Sequence, residues 1–214
     1  MQFQFNEDYL CEWIMESPVC FRTMVWNLRE QILGKEGSFV LSEKDEILNI
    51  PKSMEMILNP FSTDVNEKRI LNRIYQELAE LSCREDNYYL TQEFKQQVLS
   101  YLYELENQCD YAISINPELD FSFLLKAAGV KLEVCEGDFL STLLQYIEVV
   151  YSVLKKKLFV LVNIRSYLSD SQMKELIQMI KYREIPVLLV ENKQRDCFTG
   201  VHQYIIDADQ CEIY

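Results

Sequence analysis

A nucleophilic relay of the Ser–His–Asp or Cys–His kind needs an imidazole to carry the proton. This sequence supplies a single histidine, His202. It stands in a polar turn ahead of a short apolar segment, where a structural or solvated imidazole is expected rather than a general base. The seven cysteines (Cys11, Cys20, Cys83, Cys109, Cys135, Cys197 and Cys211) are odd in number, far apart and free of any C-x-x-C pair. That pattern argues against a zinc knuckle or redox couple and for reduced, mostly buried thiols of a cytoplasmic protein. Glu104, Glu106 and Asp110 read as a solvated helix face, with cation binding as the alternative.

Phosphate-cradling chemistry needs glycines, so that consecutive backbone N–H groups can approach the anion. The five glycines, Gly34, Gly37, Gly129, Gly137 and Gly200, form neither a G-x-x-x-x-G-K-[ST] nor a G-x-G-x-x-G motif. Residues 157–163 have the apolar shape of a magnesium-binding strand, but Asn163 stands where an Asp is needed and lacks its charge. A nuclease or nucleotide hydrolase is therefore set aside.

The basic residues offer phosphate contact. Lys68, Arg69 and Arg73 fall on adjacent turns of one predicted helix, and Lys126 and Lys131 flank Gly129. Lys155, Lys156 and Lys157 follow another predicted helix; they serve either its macrodipole or a phosphate. The whole chain opposes this: 21 Lys and Arg against 34 Asp and Glu give a net charge of −13. Such a surplus disfavours unspecific adhesion to nucleic acid or membrane while leaving room for a local basic patch. Aromatic and basic residues do not alternate, so base stacking on single strands is not suggested.

The elements that must position these groups are legible in parts. Ser17 and Pro18 open a helix on which Phe21, Val25, Leu28 and Ile32 share a face, and Gly34 closes it. Strands are predicted over 38–41 and 54–58, the second stopped by Asn59 and Pro60. Asp64 and Glu67 read as a capping box for a helix with Ile70, Leu71, Ile74, Leu78 and Leu81 on one stripe. After a polar turn over 84–87, Thr91 is read as the cap of a second helix carrying Phe94, Val98, Tyr101, Leu102 and Leu105. The two make an antiparallel pair, a candidate helical arm.

A strand over 111–115, a helix over 121–128 capped by Asp120 and closed by Gly129, and a strand over 130–134 follow. A long helix over 138–154 comes next, with Leu140, Leu144, Ile147, Tyr151 and Leu154 in register. The last third predicts a βαβ unit: an apolar strand from 158, a helix opened by the capping box Ser169 to Gln172, and a strand over 187–190. A hairpin turning at Asp207, Ala208 and Asp209 is expected at the sheet edge, with its return strand over 211–214. With 214 residues, 49% of them hydrophobic, the chain can build a sizeable core. Its start lacks the basic and apolar regions of a signal peptide, and no apolar run could span a bilayer, so a soluble, intracellular chain with no membrane contact is expected.

Residues 157–163 with the Ile164-Arg-Ser-Tyr-Leu-Ser169 that follows, Ile185-Pro-Val-Leu-Leu-Val-Glu191, the end from Tyr204 to Tyr214, and Leu124-Leu-Lys-Ala-Ala-Gly-Val-Lys-Leu-Glu133 carry a more specific signal. Together they resemble the small accessory adaptation protein of type II-A CRISPR systems. The resemblance implies an α/β head with a mostly parallel sheet, like a P-loop hydrolase fold without its Walker motifs, over 1–60 and 139–214. It further implies a mainly α-helical leg over 61–138. The family it resembles is non-catalytic: a homotetrameric ring with a basic inner surface encircles double-stranded DNA and threads onto free ends during spacer acquisition. Its partners are the CRISPR integrase proteins and the RNA-guided effector nuclease. On this reading Lys68, Arg69, Arg73, Lys126, Lys131, Lys155, Lys156 and Lys157 contact phosphate, and no nucleotide is bound. Family members often hold calcium through acidic residues, for which Glu118, Asp120, Glu133 and Glu136 are the candidates here. The acidic surplus also supports an alternative, a protein-interaction scaffold that bridges the integrase and effector nuclease without binding DNA.

Overall fold

The computed structural model describes Phe3, Phe5, residues 9–209 and residues 211–213. In chain order the elements are β1 (Leu10–Met15), α1 (Pro18–Ile32), β2 (Leu41–Glu43), β3 (Glu46–Leu48), α2 (Ile50–Ser53), β4 (Met54–Ile57), α3 (Lys68–Ser82) and α4 (Glu85–Glu106). They continue with α5 (Phe121–Ala127), α6 (Phe139–Leu154), β5 (Leu158–Val162), α7 (Asp170–Arg183), β6 (Val187–Glu191), β7 (His202–Ile206) and β8 (Glu212–Ile213). Tight 3-10 turns at Pro60–Ser62 and Ile164–Ser166 follow β4 and β5. Contacts divide the chain into two compact units, residues 1–65 with 134–214, and residues 66–133.

The first unit is α/β. Its sheet runs β4-β5-β6-β1-β7-β8, parallel throughout except for β8. Every residue of β1, β5 and β6 is buried, as strands covered on both faces require. Side chains alternate across a sheet. Cys11, Trp13, Met15, Leu158, Val160, Val162, Leu188 and Val190 form one apolar cluster with Leu28 of α1. The intervening residues Ile14, Phe159, Leu161 and Leu189 face the other way; they are buried, as are Leu140, Leu143 and Ile147 of α6 and Met173 and Leu176 of α7.

Local signals act where the sequence places them. Ser17 Oγ accepts from Cys20 N–H at the start of α1, and Gly34 takes φ +96° beyond its end. Both halves of the α7 capping box are made. Asp207 Oδ1 accepts from Cys211 N–H at 2.8 Å and turns the edge hairpin, whose predicted end at Tyr214 lies outside the described residues. The strand expected over 38–41 instead begins at Leu41, as the first arm of the β2–β3 hairpin. Lys44 and Asp45 turn that hairpin at φ 50° and 66°, the left-handed pair that suits a two-residue loop. On α6 the buried stripe is Leu140, Leu143, Ile147 and Val150, rotated from the predicted one because Tyr151 and Leu154 are only half-buried.

Residues 66–133 form a helical unit of α3, α4 and α5. Ile70 and Tyr75 are the buried apolar residues of α3. The helix expected to open at Asp64 begins later: α3 starts at Lys68, and its N-cap is Glu67, which makes no side-chain cap bond. Glu67 Oε1 instead accepts from Arg69 Nε at 2.8 Å. Helix α4 starts six residues before Thr91, so the segment predicted as a polar turn forms its first turn, where Glu85 and Asp86 favour the macrodipole. Thr91 is buried inside the helix, its hydroxyl donating to the Ser82 carbonyl at 2.9 Å. Neither 111–115 nor 130–134 is a strand. The Leu132 backbone is satisfied by a side chain: Asn66 Oδ1 accepts its N–H at 2.8 Å and Asn66 Nδ2 donates to its carbonyl at 3.0 Å. Among the described residues no helix is long and apolar enough to cross a membrane.

Candidate nucleic-acid interface

In sheets of this class the turn after the first strand is where a nucleotide phosphate is cradled. Here that turn is only Glu16 and Ser17. Glu16 N–H donates to the Ile206 carbonyl at 2.9 Å, Ser17 caps α1, and Pro18 removes a further donor. Asn163, at the end of β5, sits at φ 54° and accepts from Asn192 N–H at 3.1 Å. The position that would hold a magnesium ligand is thus a backbone tie, and no glycine loop opens toward it.

The helical unit gathers cations. Lys68 and Arg69 lie in the first turn of α3, and the paired Asn66–Leu132 bonds bring neighbouring Lys131 to that turn. Lys126, in the last turn of α5, holds its ammonium 5.0 Å from the Phe123 ring centroid and 5.8 Å from that of Tyr75 on α3. Tyr75 Oη donates to the Val130 carbonyl at 2.8 Å, which fixes the segment between Lys126 and Lys131. Arg73 stands one turn beyond Arg69 and pairs with Glu77 at 3.3 Å. Lys68, Lys126 and Lys131 are exposed, and Arg69 and Arg73 keep about two-fifths of their side-chain surface in water (42% and 41%). Exposed ion pairs of this kind are weak, on the order of 0.2–1 kcal/mol, so a phosphate can displace them.

The three lysines of the α/β unit are not equivalent. Lys155 is exposed, in the left-handed C-cap of α6, and Lys157 pairs with Glu43 at 3.2 Å with half its side chain in water. Lys156 corrects the expectation of a phosphate contact. It is buried, its ammonium donating to the carbonyls of Pro51 at 2.8 Å and Met54 at 2.7 Å, with Glu55 at 3.8 Å. A buried ammonium must be paired and hydrogen-bonded, and those bonds hold it in the core.

The acidic candidates do not gather. Asp120 Oδ1 accepts from Ser122 N–H at 2.8 Å as the cap of α5; bonds to the Ser122 hydroxyl and N–H hold its carboxyl below the usual range. Glu118, Glu133 and Glu136 are exposed. Among the described residues no group of three or more His, Cys, Asp or Glu stands where it could hold a metal ion. Glu104 and Asp110 are exposed, as is His202 at the start of β7. All seven cysteines are free, but the expectation of burial fails: Cys83, Cys135, Cys197 and Cys211 are exposed and only Cys11 is buried.

Sequence reasoning missed β1, the central parallel strand, and with it the buried charges Glu12, Arg165 and Glu191. The signal was present, as single charges within or at the ends of apolar runs: Leu10-Cys-Glu-Trp-Ile-Met15, Val187-Leu-Leu-Val-Glu191, and Arg165 two residues past Asn163. The family model described as CRISPR-associated protein (Cas_Csn2) matches residues 31–210, a span that runs through both units. That is most of the 214 residues, and the chain belongs to this family of CRISPR-associated proteins.

Proposed function

We propose that this CRISPR-associated protein acts in spacer acquisition as a homotetrameric ring, one that threads onto free ends of double-stranded DNA without sequence preference or catalysis. The observation that carries this reading is the set of surface cations on one small unit: Lys68 and Arg69 in the first turn of α3, Lys131 beside the Leu132 backbone tied to Asn66, and Lys126 over Tyr75 of the same helix. Lysines and arginines without base-reading partners bind phosphate irrespective of sequence. Two further features support it. The place of a phosphate loop is taken by Glu16 and Ser17, which suits a protein with no nucleotide chemistry. Helix α4 also leaves Leu90, Phe94, Tyr101 and Leu105 in water, a stripe suited to covering by another copy.

The net charge of −13 repels duplex DNA at long range, and screening shortens that repulsion to about 10 Å at 0.1 M salt. A ring meets this by turning the basic cluster inward and the acidic surplus outward. The partners in this reading are the integrase proteins and the RNA-guided effector nuclease, encountered in the cytoplasm. Because Glu118, Asp120, Glu133 and Glu136 do not gather, the reading assigns calcium no step.

Light scattering with a short linear duplex and with a sealed circle tests the reading. A species near four subunits that retains linear DNA in a salt-sensitive way, and releases it from free ends, is the expected result. Equal retention on the sealed circle overturns threading. The same acidic surplus favours a second reading, a scaffold that binds the other adaptation proteins and not DNA. Reversing Lys68, Arg69 and Arg73 to Glu separates the two: a scaffold keeps adaptation intact, whereas a DNA ring loses it.

A further inference from the structure

The DNA reading leaves unused a charge cluster inside the sheet. Glu12 in β1 and Glu191 at the end of β6 are each 1% exposed, and Arg165, just past β5, is 4% exposed. Arg165 Nη1 donates to the two Glu12 oxygens at 2.8 and 3.2 Å. Glu12 Oε2 also accepts from Gln203 Nε2 at 2.7 Å, and Glu191 Oε1 accepts from the Arg165 backbone N–H at 3.0 Å.

The segment after β6 closes on these same residues. Arg165 Nη2 donates to the Asp196 carbonyl at 2.8 Å, and its guanidinium carbon lies 4.9 Å from the Phe198 ring centroid. Arg195, in that segment, donates back to the Arg165 carbonyl and to Ser166 Oγ. Residues 192–200 contain no helix or strand, and 192–197 are exposed. Besides these arginine bonds, Asn192 N–H donates to Asn163 Oδ1 at 3.1 Å and Gln203 Nε2 to the Arg195 carbonyl at 3.3 Å; a segment held by so few bonds opens at far lower cost than the strands beneath it. The edge it covers, at the carboxyl ends of parallel strands, is where open sheets of this class receive ligands.

We infer that residues 192–200 are a strap latched over the carboxyl edge of the chain's own sheet, closing that crevice from within and opening it when the Arg165 and Arg195 contacts release. The charges beneath give the latch a bias. Two buried carboxylates bond one residue: Glu12 takes the Arg165 guanidinium and Glu191 its backbone N–H. The groups facing Glu191 are Glu12 from β1, Arg165 from the turn after β5 and Arg195 from the strap. The Cys197 thiol of the strap is pushed up by burial and by Glu12. Burial raises the Glu191 pKa to about 7 from an ordinary 4.5, with the Arg165 N–H pulling it down and Glu12 pushing it up. A lifted strap returns Glu191 to water and to its ordinary value. Opening is therefore favoured as pH rises between those two values and levels off above the higher one.

Hydrogen–deuterium exchange of the full chain, corrected for intrinsic rates, tests this on the amides of Asn192, which donates to Asn163 Oδ1, and of Val201, which donates to the strap carbonyl of Phe198, with β5 as internal standard. Opening of the strap is expected to rise about tenfold from about pH 5.5 to about pH 7 while β5 stays protected. Glu191→Gln removes that rise. Arg195→Met raises opening about tenfold at both pH values and leaves β5 unchanged. The latch is overturned if strap and β5 exchange together, if Arg195→Met leaves the strap as slow as in the parent chain, or if the pH dependence survives in Glu191→Gln.

Discussion

Among the described residues, only one of the two units of this chain, the α/β unit, buries cations. In the α/β unit Lys156 and Arg165 are more than nine-tenths buried, and each is held by named oxygens of Pro51 and Met54 or of Glu12 and Asp196. In the helical unit Lys68, Arg69, Lys126 and Lys131 stay at the surface, Arg69 in a weak pair with Glu67 and Lys126 over the Tyr75 and Phe123 rings. A buried charge loses its hydration and must recover it from fixed partners, so removing it leaves those partners stranded. A surface charge loses little and remains available to a ligand. Cations held by the fold and cations open to a ligand thus separate by burial.

The widest test of that contrast is Arg165→Met, which strands Glu12 within the sheet. It is expected to cost about 3–5 kcal/mol of stability, read by urea unfolding, whereas Lys68→Glu should stay within about 0.5 kcal/mol. Equal costs would dissolve the distinction. Next in size, reversing Lys68, Arg69 and Lys131 together should weaken linear-duplex binding by at least tenfold and flatten its salt dependence. The unfolding midpoint should stay unmoved. Reversing Lys157 alone serves as the control from the other unit.

A third effect sharpens the comparison through pH. The folded pKa of Glu191 lies above its ordinary value, so folding keeps a proton that the unfolded chain gives up. Its contribution is complete below about pH 4.5 and is lost as pH rises to about 7, a change of about 3 kcal/mol in unfolding free energy. Glu191→Gln should abolish that slope. No exposed carboxylate of the helical unit should produce one of that sign. Smallest of all, Asn66→Ala removes both bonds to Leu132 and should cost about 1 kcal/mol. It should also loosen Lys131 from the start of α3, seen as weaker DNA binding with little loss of stability.

Elements with local signals were legible. Ser17 with Pro18, Asp120, Asp138 and the Ser169–Gln172 box each bond their own helix within a few residues, so adjacent sequence suffices to place them. The apolar runs of β5 and β6 also announced a parallel sheet covered on both faces. What stayed hidden depended on distant partners. β1 is interrupted by Glu12, whose guanidinium partner lies 153 residues away. Residues 130–134 look like a strand, but Asn66 and Tyr75 satisfy the backbone of Leu132 and Val130 where a ladder was expected. Thr91 resembles a cap but serves Ser82 from inside α4. Of the basic candidates, residue type and spacing named the group but could not tell Lys156 from its neighbours.

By itself the sequence determined the α/β class, the presence of helices after residue 67, the missing phosphate loop and the family. Each rests on period, capping or motif, which are properties of neighbouring residues. Only the tertiary structure decided which charges are internal. It turned Lys156 and Arg165 inward, kept Lys68, Lys126 and Lys131 in water, and left the acidic residues apart. Those outcomes depend on the free energy of desolvation against partners far along the chain, and that balance exists only once the chain has folded.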